Sequence, residues 1–169
     1  GRSFVIEKGH TLILGWSPKI FTVISELVIA NENQTRPRVV VLADKDKVEM
    51  EDEIRDNIVF LKNTKVICRS GNPNDLTALN IVNPHAAKSI VLLAPEEGNA
   101  DSQVIKNILA ITNNPKRRKE PYHITAEMKE EKNLEVAKMI GKDEVELILT
   151  DDVISRIMVQ TGRQSGLSI

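Results

Sequence analysis

The sequence has one cysteine, Cys68, in 169 residues. That excludes an internal disulfide and a cysteine-rich zinc site, and it suits a reducing compartment, so cytoplasm is the expectation. Neither charge is in excess: 23 Lys plus Arg stand against 24 Asp plus Glu. No global field therefore draws the chain to nucleic acid or to an anionic membrane surface, and any ligand must be recognised by a local site. No stretch approaches the roughly 18 to 20 continuous apolar residues of a membrane-spanning helix, and no basic-then-apolar signal opens the chain. Catalytic signatures are missing too: there is no G-x-S-x-G elbow, no HExxH pair and no Walker lysine.

With 41% hydrophobic and 28% charged residues, the composition is that of one globular domain with a real core. Short apolar runs rich in β-branched residues predict six strands, at 11–14, 39–42, 66–68, 89–93, 123–126 and 145–149. They are almost continuously apolar, as strands buried on both faces of a parallel sheet should be. Between them, apolar residues recur at helical spacing: Ile20, Ile24, Leu27 and Asn31; Met50, Ile54 and Ile58; Val104, Ile105, Ile108 and Leu109; Leu134, Ala137 and Ile140; Val153, Ile154, Ile157 and Met158. Gly141 suits the left-handed residue past a helix end, and Asp151 or Asp152 suits the cap of the last helix. The alternation predicts an α/β, Rossmann-type doubly wound sheet in the order 3-2-1-4-5-6, with ligands bound beyond the carboxyl ends of the strands.

The turn after the first strand, Gly15-Trp16-Ser17-Pro18-Lys19-Ile20, stands where a phosphate-binding loop belongs. Of the three fingerprint glycines only Gly15 is present; Ser17 and Ile20 occupy the other two positions, which disfavours a closely held pyrophosphate. Pro18 fits a first helical turn, whose free N–H groups make an anion site. Asp44 ends the second strand, where a carboxylate bonds ribose hydroxyls or, alternatively, caps the helix beginning at Lys45. The stretch 113–121 carries Lys116-Arg117-Arg118-Lys119, read either as a phosphate or partner patch or as a solvated loop. His10, His85 and His123 fall before or at the starts of strands, away from the ligand end, and Cys68 lies inside an apolar strand, so all four read as structural. A dehydrogenase needs a substrate domain and a general acid or base beside its cofactor, and neither is evident. The chain is expected not to be an enzyme.

Leu14-Gly15-Trp16-Ser17, then Val39-Val40-Val41-Leu42-Ala43-Asp44, then Ile67-Cys68-Arg69-Ser70-Gly71, and finally Ile154-Ser155-Arg156-Ile157-Met158-Val159-Gln160 together resemble the RCK (regulator of K⁺ conductance) domain, and within that family the CASTOR/POLLUX ion channels. The resemblance covers about residues 10–160. It implies a gating-ring domain on the cytoplasmic side of a membrane, dimers of which build a tetrameric ring coupled to the channel's own pore; no nucleic acid is involved. Residues 1–9 would lead in from a preceding membrane region, 10–162 would form the domain, and 163–169 would begin a linker to a further part. The ends at Gly1-Arg2-Ser3 and Gly162 to Gly166 fit a segment of a longer protein.

Nucleotide contacts implied by the resemblance fall on Gly15, Trp16 and Ser17, on Asp44, on Ser70, Gly71 and Asn72, and on Ala94 and Pro95. The ligand would be NAD(H) or an adenine nucleotide, with an empty site, partly filled by Trp16, as the alternative. Calcium-activated relatives place carboxylates where this chain has Asp101 and Glu127, which implies a partial Ca²⁺ site; Lys129 stands where a third would be. The alternative is Asp101 as a helix cap and Glu127 as a solvated strand-end residue. The competing assignment for the whole is the nucleotide-binding domain of a TrkA-like potassium-uptake regulator or of an oxidoreductase.

Overall fold

The computed structural model describes residues 3–162. The proposed linker at 163–169 and residues 1 and 2 lie outside the described residues. Six strands, β1 (Thr11–Leu14), β2 (Arg38–Ala43), β3 (Lys65–Ser70), β4 (Ser89–Leu92), β5 (Ile124–Met128) and β6 (Val145–Leu149), form one all-parallel sheet in the order β3-β2-β1-β4-β5-β6. Helices α1 (Lys19–Ala30), α2 (Lys47–Asn57), α3 (Leu76–Ile81), α4 (Ala100–Thr112), α5 (Leu134–Gly141) and α6 (Val153–Gln160) connect or follow them. The expected Rossmann-type order is the observed one.

Alternation along the strands divides the core into two layers. Leu12, Leu14, Val40, Leu42, Ile90 and Leu92 face one side, against α3, α4 and α5 through Leu79, Val104, Ile108 and Ala137. Ile13, Val39, Val41, Cys68 and Val91 face the other, against α1, α2 and α6 through Ile24, Met50, Ile54, Val153 and Ile157. Both faces are covered, which is why the strands read as unbroken apolar runs.

Several local expectations are corrected. The helix beginning at Lys47 is capped by Asp46, whose carboxylate accepts from the Glu49 N–H at 3.1 Å, and not by Asp44. Gly141 is right-handed and still inside α5; the left-handed residue is Lys142, φ 53°. Glycine is needed at 141 for space, since a Cβ there would stand 2.7 Å from Val145 Cβ. Asp152 occupies the position before α6 but its side chain makes no capping hydrogen bond. Helix α3, with Ala78, Leu79 and Ile81 buried, has six residues, too few to display a period.

The 113–121 stretch is a largely exposed loop, as one of the two readings has it, but its two arginines are packed down onto the fold. Arg117 forms a forked pair with Glu144 at 3.0 and 3.1 Å. Arg118 donates to the carbonyls of Ala87, His85, Glu120 and Pro121. Both guanidinium groups lie over the buried Tyr122 ring, 5.0 and 4.5 Å from its centroid. The arginines are packing elements here, and only Lys116 and Lys119 of the basic run are fully exposed.

Candidate ligand site at the carboxyl ends of the strands

The site is built from the turns that follow β1 to β5. Gly15 takes φ +100°, and a Cβ there would meet the Leu93 carbonyl oxygen at 2.7 Å. Its N–H bonds the Leu42 carbonyl at 2.9 Å, and the Leu93 N–H bonds the Leu14 carbonyl at 2.9 Å. Only glycine allows β1 to turn this tightly between β2 and β4. Gly71 N–H reaches the Ala43 carbonyl, which brings the Ser70-Gly71-Asn72 turn beside the end of β2 and Asp44. Asp44 itself is exposed and does not cap α2. The nucleotide-contact residues expected on the β1 to β3 side thus share one edge of the sheet.

Ser17 is buried, and its Oγ accepts from the Lys19 N–H at 3.3 Å while its carbonyl accepts from the Ile20 N–H at 3.0 Å. Two donors of the first turn of α1 are therefore turned inward, where the sequence suggested free N–H groups for a phosphate. Trp16 is half-buried, edge-on to Phe21 at 5.8 Å, with the Lys45 ammonium 5.7 Å from its ring centroid. Lys45 in turn pairs with Glu53 at 2.8 Å, which holds its pKa above the usual lysine value. Sequence reasoning missed Lys45; its position beside Asp44 is the only local sign.

On the other half, a cleft of about 260 Å³ is lined by Ser17, Pro18, Lys19, Ala94, Glu96, Glu127 and Lys129. It opens at the point where the strand order reverses between β1 and β4, the usual ligand position in such sheets. Glu127 is not solvated: it is 3% exposed, and its Oε1 accepts from the Ala94 N–H at 2.8 Å. Ala94 is buried, and Pro95, half-buried, follows it and is not among the residues that line the cleft.

Asp101 is 5% exposed and does not cap α4; Asn99 holds that position. Its carboxylate accepts from the Lys129 N–H at 2.7 Å, the Glu130 N–H at 3.1 Å and the Asn133 side-chain amide at 2.7 Å. Lys129 Nζ donates to the Glu96 carbonyl at 2.9 Å. A cation would have to displace these donors to use Asp101, and among the described residues no group of three or more His, Cys, Asp or Glu side chains is arranged to hold a metal ion.

The remaining candidates sit elsewhere. His10 is buried at the start of β1, its Nε2 3.1 Å from the Val82 carbonyl. His85 Nδ1 is 2.7 Å from the Tyr122 hydroxyl, and His123 is exposed just before β5. Burial pushes the Cys68 thiol up to about 12, which keeps it protonated and unreactive. A larger concavity, about 840 Å³, lies at the opposite, amino-terminal edge of β4 to β6. Thr125 there is paired with Gln160 and Glu146 with Arg156; the smaller cleft lies at the carboxyl ends of the strands, where sheets of this kind bind ligands, and is the better ligand candidate.

No family model matches the chain. Over 99% of its length it is similar to two curated relatives: it is 42% identical over 171 residues to the probable ion channel CASTOR of Oryza sativa subsp. japonica, and 40% identical over 171 residues to the ion channel CASTOR of Lotus japonicus. The chain is homologous to one segment of the CASTOR/POLLUX ion channels. It spans 19% and 20% of those two relatives' lengths. Among solved structures, the GsuK channel bound to NAD matches 85% of this chain and 23% of its own with a TM-score of 0.59 at 23% identity. GsuK bound to ADP matches 85% and 33% with a TM-score of 0.56 at 23% identity. The human SLO3 gating ring matches 99% and 34% with a TM-score of 0.63 at 13% identity. These likenesses show the fold alone, a Rossmann-type doubly wound sheet. Among the described residues, no helix is long and apolar enough to cross a membrane.

Proposed function

We propose that this CASTOR/POLLUX segment is the ligand-sensing gating domain of a cation channel, on the cytoplasmic side of the membrane, and that it takes an adenine nucleotide or NAD(H) at the carboxyl ends of β1 to β4. The observation that carries the channel assignment is the similarity to CASTOR along nearly the whole chain. For the ligand, support comes from the shared edge formed by Gly15, Asp44 and Gly71, together with the NAD and ADP bound by GsuK, which has the same fold. Asp44 would hold ribose hydroxyls, Gly71 would let the base or ribose approach the backbone, and Trp16 would offer an aromatic face on the ribose side. Because Ser17 fills two donors of α1, the phosphates would be held loosely, with Lys19 as their nearest cation in the cleft.

Exposed Val136 and Met139 on α5 and Val159 on α6 give apolar faces on which copies of the domain would pack in a ring. The ring would act on the pore only if the ligand binds one ring arrangement better than another.

Thermal melting of this chain with ADP, ATP, NAD and NADH tests the ligand. Saturation at about 100 times Kd stabilises by about 2.7 kcal/mol, a rise of roughly 5 to 10 °C for a domain of this size. Asp44→Ala should remove most of that rise. No response to any of the four overturns nucleotide sensing. For the channel assignment, the coding sequence upstream should encode apolar spans of about 20 residues; a soluble catalytic domain there would refute it.

A further inference from the structure

Helix α4 is bonded to both halves of the site by polar side chains. On the β3 side, the Asn107 amide donates to Asn74 Oδ1, and the Asn74 amide donates to Gln103 Oε1 at 3.2 Å. Asn74 belongs to the turn that follows Gly71, and its N–H is held by Asn72 Oδ1 at 2.9 Å. On the β5 side, Asp101 gathers the Lys129 and Glu130 N–H groups and the Asn133 amide. Asn107 is buried on the face that otherwise carries Val104, Ile108 and Ile111. An amide at such a position is tolerated because it is satisfied, and its partner is a loop residue at the ligand edge, not another core group.

Asp101 and Asn107 are six residues apart, about 9 Å along one helix, and a helix moves as a unit over that distance. We infer that α4 transmits occupancy of the β3 turn to the loop after β5, with Asn107 and Asp101 as its two positioning residues. A ligand that fixes the Gly71-Asn72 turn fixes Asn74, Asn74 fixes α4, and Asp101 carries that constraint to Lys129, Glu130 and Asn133. The inference rests on the nucleotide reading above. It extends that reading by joining two strand ends that a single adenosine does not span.

ADP is the probe; its phosphates would approach the cleft that Lys129 also lines, and slowing by direct contact there would persist in the variants described below. Amide hydrogen exchange of this chain is measured with and without saturating ADP, at the 71–76 turn and at the Glu130 N–H. In the parent, ADP should slow both, Glu130 by at least about fivefold, the lower bound of ordinary coupling between sites. In Asn107→Leu, ADP should still slow the 71–76 turn but leave Glu130 within about twofold of the ligand-free rate. If that variant does not fold, Asn74→Ala cuts both contacts to α4 from an exchangeable loop position and carries the same expectation. Slowing of Glu130 that persists in the folded variants overturns the inference, as does slowing confined to the 71–76 turn in the parent. No slowing anywhere overturns the nucleotide reading and this inference together, so the two failures are distinguishable.

Discussion

Replacing Asp101 by alanine separates a structural carboxylate from a cation ligand. In the structure the side chain accepts three hydrogen bonds, at 2.7, 3.1 and 2.7 Å, from donors in the loop after β5. Hydrogen bonds to a charged group contribute roughly 1.5 to 3 kcal/mol each. Two of the donors are backbone groups on a rim that water enters once the carboxylate is gone, so the lower figure applies and Asp101→Ala should cost about 4 kcal/mol. At about 2 to 4 °C per kcal/mol for a domain of this size, the melting midpoint should fall by roughly 8 to 16 °C in metal-free buffer. Asp101→Asn keeps one acceptor oxygen and should lose about half as much. Calorimetry in the presence of a chelator is the assay. A midpoint for Asp101→Ala within about 2 °C of the parent would refute the assignment, because a carboxylate waiting for a cation contributes little until the cation arrives.

Gly15→Ala sets a Cβ at 2.7 Å from the Leu93 carbonyl on a backbone at φ +100°; urea unfolding should show a loss of about 3 kcal/mol or more, and a loss under about 1 kcal/mol would mean the turn is free to relax. Arg118→Lys keeps the charge but loses the fork that serves four carbonyls and the stacking on Tyr122, so it should destabilise by about 2 kcal/mol, nearly as much as Arg118→Ala. A lysine variant with parental stability would show that charge alone matters there. His10 is held below the usual imidazole value chiefly by burial, with the Val82 carbonyl and Glu7 opposing, and His85 is lowered chiefly by burial and then by Arg118. The unfolded chain therefore binds more protons at these sites: their neutral forms leave stability intact above about pH 6.5, and it is lost as pH falls below that. The urea midpoint should drop between pH 7.5 and pH 5, and His10→Gln should flatten that slope; an unchanged slope would exclude His10 as a contributor.

The strands were legible because burial on both faces writes itself as continuous apolar sequence, and their order followed from the handedness of βα units. Their ends were less so. β3 reads as Val66–Cys68 but runs from Lys65 to Ser70, since Lys65 and Arg69 sit on the sheet edge where charge is tolerated. Asp44 and Asp46 are both good caps two residues apart, and only the path of the chain decides that Asp46 meets the Glu49 N–H. Gly141 has the residue type of a left-handed helix end, but the close approach of Val145 that explains it is a packing fact with no local signature.

The same division applies at the site. The turns at Gly15 and Gly71 are legible because geometry at strand ends restricts residue type locally. What Asp101 does is not, because its partners lie 28 to 32 residues further on and are mostly backbone N–H groups, which every sequence possesses. Arg117 and Arg118 show the converse: a basic run that sequence assigns to solvent or to an anion is consumed by Tyr122, Glu144 and the carbonyls around them. In both cases a charge is spoken for by partners that only the tertiary structure supplies. A nucleotide at the proposed site would therefore be recognised mainly through backbone turns, Asp44 and the Trp16 face, and removing a charge at 101, 117 or 118 should lower stability before it alters any ligand affinity.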